Sequence, residues 1–248
     1  GKFFDIAEVG LYGVTIQLAT MLMIKSVPLF NVVAFPAFAR MNDASGDRND
    51  YLITTLGFAS ALIFPIFLGV AMVGKDLIGL VLGSEWVQIS GLFAIIVISV
   101  PLRILAYIIS PALLAAGGAR INLTNAFVTL IVLTGAIFAM LPMGLPGIAV
   151  AWSLASVCIF VLTLVRGGRV LELPILSALR AVTPALLAAL LMCAAIYLVS
   201  GQFPGVAGVF ALYKIPFGAL VYVFLFWLMF RDRSEELIRV VSRLAGRQ

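Results

Sequence analysis

The chain has 248 residues, of which 63% are hydrophobic and only 11% are charged, and its mean hydropathy is +1.19. Soluble domains carry about 25% charged residues, so this composition excludes an ordinary soluble protein and indicates an integral membrane protein. The net charge of +5 comes mainly from basic residues in short polar segments beside apolar runs, where membrane topology explains them. We therefore expect membrane lipids as partners and no nucleic acid.

About seven apolar stretches follow one another along the chain. A helix needs about 20 apolar residues to cross a hydrocarbon core of about 30 Å, and these stretches qualify or nearly do, without the period-two alternation of barrel strands. The sequence therefore predicts an all-α, polytopic transmembrane helical bundle. The predicted spans are approximately 11–39, 51–73, 92–116, 121–141, 146–165, 181–200 and 207–230.

Two segments outside the predicted spans have an amphipathic pattern. Residues 75–86 mix charged and apolar side chains and are predicted to form either a short interfacial helix or a plain loop. Residues 231–248 begin with a capping-box pattern at Asp232 and Glu235 and continue with an apolar stripe, which predicts a cytoplasmic amphipathic tail on anionic lipid.

Basic residues are concentrated in every second connection between the predicted spans. By the positive-inside rule these connections face the cytoplasm, which places the first residues of this chain on the outer side. The basic residues that define this side are Arg40, Arg48, Arg120, Arg166, Arg169, Arg180 and the five C-terminal arginines.

Lys25 and Arg103 lie near the middle of predicted spans. A charge at this depth costs about 2.5 to 3.5 kcal/mol on insertion scales, so such residues face a protein interior or a watery cavity. Lys25 is about 21 Å from either end of its predicted span, too far for its side chain to reach the membrane surface. Lys214 lies nearer the outer end of the last span, and we expect it to reach the headgroups.

All 11 acidic residues map outside the predicted spans, so no carboxylate of this chain is placed to neutralise Lys25 or Arg103. We favour an anionic substrate as the counter-ion. A structural ion pair with an acidic residue outside this chain is the alternative, and an error in the predicted span boundaries is a third.

Further polar residues accompany Arg103. Ser99, Tyr107 and Ser110 recur at helical spacing and share a face with it, so we predict that they belong to the same substrate-binding site. Asn122 and Asn125 form a second polar face on the next span, for which hydrogen bonding between helices is the favoured interpretation and substrate binding the alternative.

Enzymatic chemistry has no support in the sequence. The chain contains no His, no pair of carboxylates within a span and no cluster of residues with metal-ligand spacing. We therefore expect neither catalysis nor a cofactor.

Several segments, in their order, resemble a known family. They are "VGLYGVTIQLA", "VVAFPAFARMND" followed by "DYL", "FPIFLGVAMVGKDLIGLVLGSEW", "PALLAAGGAR" and "GLPGIAVAWSLASV". Together they resemble the second half of polysaccharide flippases of the multidrug, oligosaccharidyl-lipid and polysaccharide exporter superfamily.

This resemblance implies half of a two-bundle transporter of the bacterial cytoplasmic (inner) membrane. It would move an oligosaccharide linked to undecaprenyl pyrophosphate to the outer leaflet by alternating access, with Lys25 and Arg103 facing the diphosphate. Residues 1–200 would be the C-terminal transmembrane bundle and 201–230 a trailing helix, and an N-terminal half of the same protein would be a partner. The rival interpretations are a multidrug exporter, for which intramembrane carboxylates are expected, and a non-transporting scaffold.

Overall fold

The structure, a computed structural model, describes residues 4–39, 48–202 and 213–230, with side chains described for 4–26, 49–200 and 213–228. These ranges are helical almost throughout and contain no strand, which confirms the all-α class. In chain order the α-helices are α1 (Ile6–Ala39), α2 (Arg48–Val81), α3 (Ser90–Ala115), α4 (Ala119–Met140), α5 (Gly144–Leu162), α6 (Gly168–Leu171), α7 (Ile175–Gln202) and α8 (Lys214–Phe230).

The described helices confirm a polytopic membrane bundle. Five helical stretches are long and apolar enough to cross a membrane, and the shorter apolar helix Lys214–Leu228 follows them. One of the five, Ala119–Leu171, contains both α4 and α5, which pack along each other as a hairpin and so supply two crossings. The predicted spans accordingly correspond to α1, α2, α3, α4, α5, α7 and α8.

The turn between α4 and α5 depends on two glycines. Gly144 adopts a positive φ of 69°, which side-chain-bearing residues rarely tolerate. A Cβ on Gly147 would lie 2.2 Å from the carbonyl oxygen of Met140, so only glycine allows the first turn of α5 to approach the end of α4. These two positions fix the antiparallel arrangement of the hairpin.

Residues 75–86 differ from the separate interfacial helix or loop that the sequence predicts. The apolar pattern of α2 continues past Lys75 and Asp76, and the helix runs unbroken to Val81. Gly83, with a φ of 102°, ends it, and a 3₁₀-helix at Ser84–Ile89 leads into α3. Asp76 is thereby held on a rigid transmembrane helix.

Helix α3 lies at the centre of the packing. It contacts α1, α2 and α5, while α2 packs against α7 and α7 against α8. In its most apolar window 61% of the residues are buried, compared with 11% in α1, which contacts the bundle mainly through α3. Small buried residues on α5, among them Ala149, Ala151 and Ala155, allow its close approach to neighbouring helices.

Helix α8 is joined to α2 by one polar contact at the predicted outer end and a second one deeper in the bundle. Lys214, its first residue, pairs with Asp76 at a distance of 2.8 Å, and both side chains are 16% exposed. One helical turn from Gly218, Tyr222 donates a hydrogen bond to the carbonyl oxygen of Ala61 at 2.8 Å. The sequence analysis expects Lys214 to reach the headgroups, whereas the structure pairs it with a carboxylate. The predicted tail at 231–248 lies outside the described residues.

Candidate anion-binding site

The polar face of α3 points toward α4 and α5. Ser99 and Arg103 contact α5, and Ser110 contacts α4. Tyr107 lies between Arg103 and Ser110 on the same face and is 46% exposed. The structure therefore keeps these four predicted residues on one side of the helix, and three of them, Ser99, Arg103 and Ser110, contact a neighbouring helix.

Arg103 is stacked on an aromatic ring in the middle of the bundle. Its guanidinium carbon lies 4.2 Å from the centre of the Trp152 ring on α5. A cation over an indole face gains about 0.5 to 2 kcal/mol, more when water is excluded. Tyr107, one turn further along α3, lies close enough to act electrostatically on the guanidinium. Among the described residues no carboxylate pairs with Arg103.

Two buried donors in this contact lack an acceptor. The Nε of Arg103 and the indole Nε1 of Trp152 are both buried without a hydrogen-bond partner. A buried donor left unpaired costs about 1 to 3 kcal/mol, so each is a position where an acceptor oxygen is favourable. The donor set consists of N–H groups with a neighbouring phenol, and this chemistry suits an anion.

Lys25 lies on a different part of the surface. It is exposed on α1 and makes no hydrogen bond or ion pair within the described part of the chain. The buried residues Thr15 and Ala19 mark the face of α1 that packs on the bundle, and Lys25 lies to one side of it. No contact in the structure joins Lys25 to Arg103, so the two predicted cations form separate features.

Ser99 and Ser110 make local and interhelical hydrogen bonds. The Ser99 hydroxyl donates to the carbonyl oxygen of Ile96 at 2.7 Å and lies 3.4 Å from the Ser156 hydroxyl of α5. The Nδ2 of Asn122 donates to the Ser110 hydroxyl and thereby connects α4 to α3. The contact of Asn122 agrees with the favoured interpretation from the sequence, which is hydrogen bonding between helices.

Asn125 is fully buried and contacts a cation from another segment. Its Oδ1 accepts a hydrogen bond of 2.9 Å from Nη1 of Arg166, while its Nδ2 is buried without a partner. Arg166 belongs to a π-helical turn, Thr163–Gly167, between α5 and α6. Such turns are rare and occur frequently at functional sites.

Trp152 and Arg166 are the two residues of this region that sequence reasoning missed. Trp152 is compatible with an apolar span, so hydropathy gave no signal for it. Arg166 was assigned to the positive-inside pattern, which explains its presence without indicating a partner. The described ranges also contain no group of three or more His, Cys, Asp or Glu residues that could hold a metal ion.

The fold and this site define a class of protein: a multi-pass membrane protein with uncompensated cations within its helices. The chain superposes on a solved structure of "Lipid II flippase MurJ, inward closed conformation" with a TM-score of 0.69 and 22% identity, covering 93% of this chain and 49% of that one. At this identity the likeness establishes a shared fold.

Sequence comparisons find similarity over part of the chain. Residues 1–91 match the family described as "Polysaccharide biosynthesis protein". The chain is 26% identical over 119 residues to the teichuronic acid biosynthesis protein TuaB of Bacillus subtilis, and 27% identical over 124 residues to an uncharacterized membrane protein in the cps region of Klebsiella pneumoniae. These alignments cover 48% and 50% of this chain, and 25% and 26% of the two relatives. These matches support the resemblance to polysaccharide biosynthesis proteins and a multi-pass location in a bacterial membrane.

Proposed function

We propose that this chain is part of a flippase that moves an undecaprenyl-pyrophosphate-linked oligosaccharide from the cytoplasmic to the outer leaflet by alternating access. Residues 1–200 would form one bundle of the transporter and 201–230 a trailing helix. The other bundle would be an N-terminal half of the same protein, because the chain spans about half of the flippase whose fold it shares. The whole assembly would act in surface polysaccharide synthesis.

The observation that carries this proposal is Arg103, a cation at the centre of the bundle whose described contact is an aromatic ring. A diphosphate cannot cross hydrocarbon without replacement of its hydration shell, and a guanidinium supplies two parallel donors to phosphate oxygens. Stacking on Trp152 stabilises the charge without neutralising it, which leaves its field available to a substrate. A transporter needs this property, since the anion must also leave.

The remaining predicted residues have different roles in the proposal: contact with the anion, packing of the helices, and exposure to the cavity. Tyr107, beside Arg103 and partly exposed, would donate to the same anion. Ser99, Ser110, Asn122 and Asn125 would keep the helices in place, as their hydrogen bonds favour. Lys25 would face the cavity between the two bundles, where an exposed side chain in the middle of a long helix can be hydrated.

The rival functions make different demands on this region. A multidrug exporter would be expected to carry carboxylates deep within its spans to attract cationic drugs. Among the described residues the carboxylates on α1 and α2 lie near helix ends, and Asp76 is paired with Lys214. A scaffold would use Arg103 to fix helix pairing through an ion pair, which requires an acidic residue beyond this chain. The proposed flippase needs neither.

The test is complementation of a bacterial strain that lacks the full-length gene. Replacing Arg103 with Ala removes the charge-assisted contact, worth about 1.5 to 3 kcal/mol, so we expect export of surface polysaccharide to fall about 10- to 150-fold. Lys25→Ala should also reduce export. Lipid-linked intermediate should accumulate while the amount of protein in the membrane stays near normal.

Arg180→Ala is the matched control, because Arg180 is an exposed arginine outside the bundle centre. Its export should remain near that of the wild type. Normal export in both the Arg103→Ala and Lys25→Ala variants would refute the proposed site, and rescue of Arg103→Asp by a reversed charge in the other half would favour the scaffold.

A further inference from the structure

A row of polar side chains leads away from Arg103 along the interface of α3, α4 and α5. Tyr107 and Ser110 follow Arg103 on one face of α3, and Ser110 accepts a hydrogen bond from Asn122 of α4. Asn125 lies one turn beyond Asn122, and its Oδ1 accepts from Arg166. The row begins with one arginine and ends with another, with uncharged polar groups between them.

From Arg103 to Asn122 the row runs toward the basic end of the bundle, and Asn125 lies one turn back along α4. The π-helical turn that carries Arg166 approaches the end of α3, because a Cβ on Gly167 would lie 3.2 Å from the Leu113 side chain. Gly118, just before α4, donates its backbone N–H to the carbonyl oxygen of Leu113 at 2.8 Å. Arg120 and Arg169 belong to the same end, which the positive-inside rule assigns to the cytoplasm.

The two arginines lie at different depths. Gly167, which follows Arg166, lies beside Leu113 of α3, and Leu113 is ten residues beyond Arg103. At about 1.5 Å per residue this is about 15 Å along the helix. Arg166 is therefore placed near the cytoplasmic boundary of a hydrocarbon core of about 30 Å.

Arg166 is held in place by a neutral partner. Asn125 is fully buried and bonds to one guanidinium nitrogen, and in the described part of the chain no carboxylate pairs with Arg166. The half-buried guanidinium thus has a defined position and keeps its full charge. An amide can orient an arginine without competing for the anion that the arginine would bind.

Asn125 adds an unused donor at the same place. Its Nδ2 is buried and has no hydrogen-bond partner, although an unpaired buried donor is unfavourable. The guanidinium of Arg166 and the unpaired amide N–H of Asn125 lie side by side. Together they form a set of donors that matches the oxygens of a phosphate group.

We propose that Arg166 and Asn125 form a loading site that captures the phosphate of a polyprenyl-linked substrate from the cytoplasmic leaflet, before it reaches Arg103. This inference rests on the proposed function and assigns it a second site. The polar row between the arginines would exchange hydrogen bonds with the moving headgroup without binding it as tightly as a cation. Two sites with a neutral interval also prevent the anion from being trapped at either one.

An anionic lipid headgroup has the same phosphate chemistry as this substrate. Arginines near the cytoplasmic boundary commonly contact such lipids, at about 1 kcal/mol each. The two sources differ in their dependence on Asn125 and on membrane side, because a general headgroup contact needs no fixed orientation and is shared by every nearby arginine. The experiment must therefore separate Arg166 from its basic neighbours.

The test uses the full-length protein in membrane vesicles and a photoreactive polyprenyl pyrophosphate as the probe. The probe is added to inverted vesicles, whose cytoplasmic face is outside, and to right-side-out vesicles, and cross-linked protein is measured. We expect Arg166→Gln to reduce cross-linking about tenfold in inverted vesicles, the equivalent of about 1.4 kcal/mol, and less than about twofold in right-side-out vesicles. Arg103→Gln should reduce it in both.

Arg169→Gln is the matched control, because Arg169 is an exposed arginine three residues along the chain. It should leave cross-linking unchanged within about twofold. Arg166→Lys keeps the charge but loses the planar guanidinium, so its cross-linking should lie between that of Arg166→Gln and the wild type. Such an intermediate value would show that the loss in Arg166→Gln depends on the charge and not only on misfolding. Asn125→Ala should weaken capture in inverted vesicles alone.

The outcomes separate this inference from the proposed function. Cross-linking that depends on Arg103 but not on Arg166 would overturn the loading site and leave the flippase intact. Absence of cross-linking in the wild type would overturn both. Equal losses in the Arg166→Gln and Arg169→Gln variants, removed by excess phosphatidylglycerol, would assign Arg166 to ordinary headgroup contact.

Discussion

The two polar regions of this bundle differ in whether their cations are paired with a carboxylate. At the outer end, Lys214 of α8 is paired with Asp76 of α2 at 2.8 Å. At the interface of α3, α4 and α5, Arg103 contacts Trp152 and Arg166 contacts Asn125, and in the described part of the chain neither has a carboxylate partner. The first arrangement joins two helices, whereas the second keeps cations available.

This difference indicates which charges serve stability. In an ion pair each charge is neutralised by the other. Removing one member therefore leaves a buried charge without compensation, which destabilises the fold. A stacked or amide-bound arginine is oriented but not neutralised, which is an expensive state deep in a membrane. We therefore expect substitutions at the outer end to change folding, and substitutions at the α3–α4–α5 interface to change transport.

Adding a carboxylate beside Arg103, so that the α3–α4–α5 interface also contains an ion pair, should have the largest effect on export. Tyr107→Glu places a carboxylate one turn from Arg103, where residues four apart on a helix meet. We expect export to fall about 10- to 150-fold, as for loss of the arginine, because the internal acid would occupy the anion's place. Polysaccharide export and thermal stability are measured together.

Tyr107→Gln is the control for this change, since it alters shape and polarity without adding charge. It should reduce export less than Tyr107→Glu does, because glutamine keeps a donor for the anion and adds no competing charge. If Tyr107→Glu exports normally, then the unpaired state of Arg103 is unimportant for transport and the contrast between the two regions fails.

Breaking the outer ion pair should affect stability instead. Lys214→Met leaves the Asp76 carboxylate without its partner in a site where it is 16% exposed. We expect a loss of about 1 to 3 kcal/mol in the free energy of unfolding, with export reduced only in proportion to protein abundance. Thermal unfolding of the purified full-length protein measures the first quantity.

The double variant Lys214→Met with Asp76→Leu should recover part of this stability, because removing both charges also removes the desolvation cost. Stability that is unchanged in the single variant would show that the pair contributes little. A specific loss of export at normal abundance would show that α8 takes part in transport.

Removing the aromatic partner of Arg103 should have the smallest effect. Trp152→Leu abolishes the stacking at 4.2 Å, and we expect export to fall about 2- to 30-fold, corresponding to about 0.5 to 2 kcal/mol. Trp152→Phe keeps an aromatic face and should fall between Trp152→Leu and the wild type. Identical export in all three proteins would mean that Trp152 only fills space.

The helices could be predicted from sequence because lipid leaves the backbone few choices. An apolar stretch of sufficient length must satisfy its own hydrogen bonds, so hydropathy alone located the spans. The same argument found Arg103, since a charge within such a stretch is conspicuous. It could not define the end of α2, where Lys75 and Asp76 interrupt the apolar pattern but the helix continues to Val81.

The partners of the charges could not be predicted because they are distant in sequence. Asp76 and Lys214 are 138 positions apart, and Asn125 and Arg166 are 41 apart. Their contacts depend on which helices pack together, and hydropathy carries no information about that. Trp152 had no distinguishing signal at all, since an indole is ordinary in a membrane helix.

Because Arg166 lies in the π-helical turn Thr163–Gly167, the number of residues in this turn determines the direction of its side chain. A π-turn accommodates one residue more than the α-helix around it. Deleting a single position within it would restore a regular α-helix, and the change in direction would fall on the residues of the turn itself, by up to about 100°. The guanidinium of Arg166 would then turn away from its amide, even though its charge and its neighbours in the chain were unaltered. Homologous chains of different length in this short segment would therefore direct that charge to another face of the bundle.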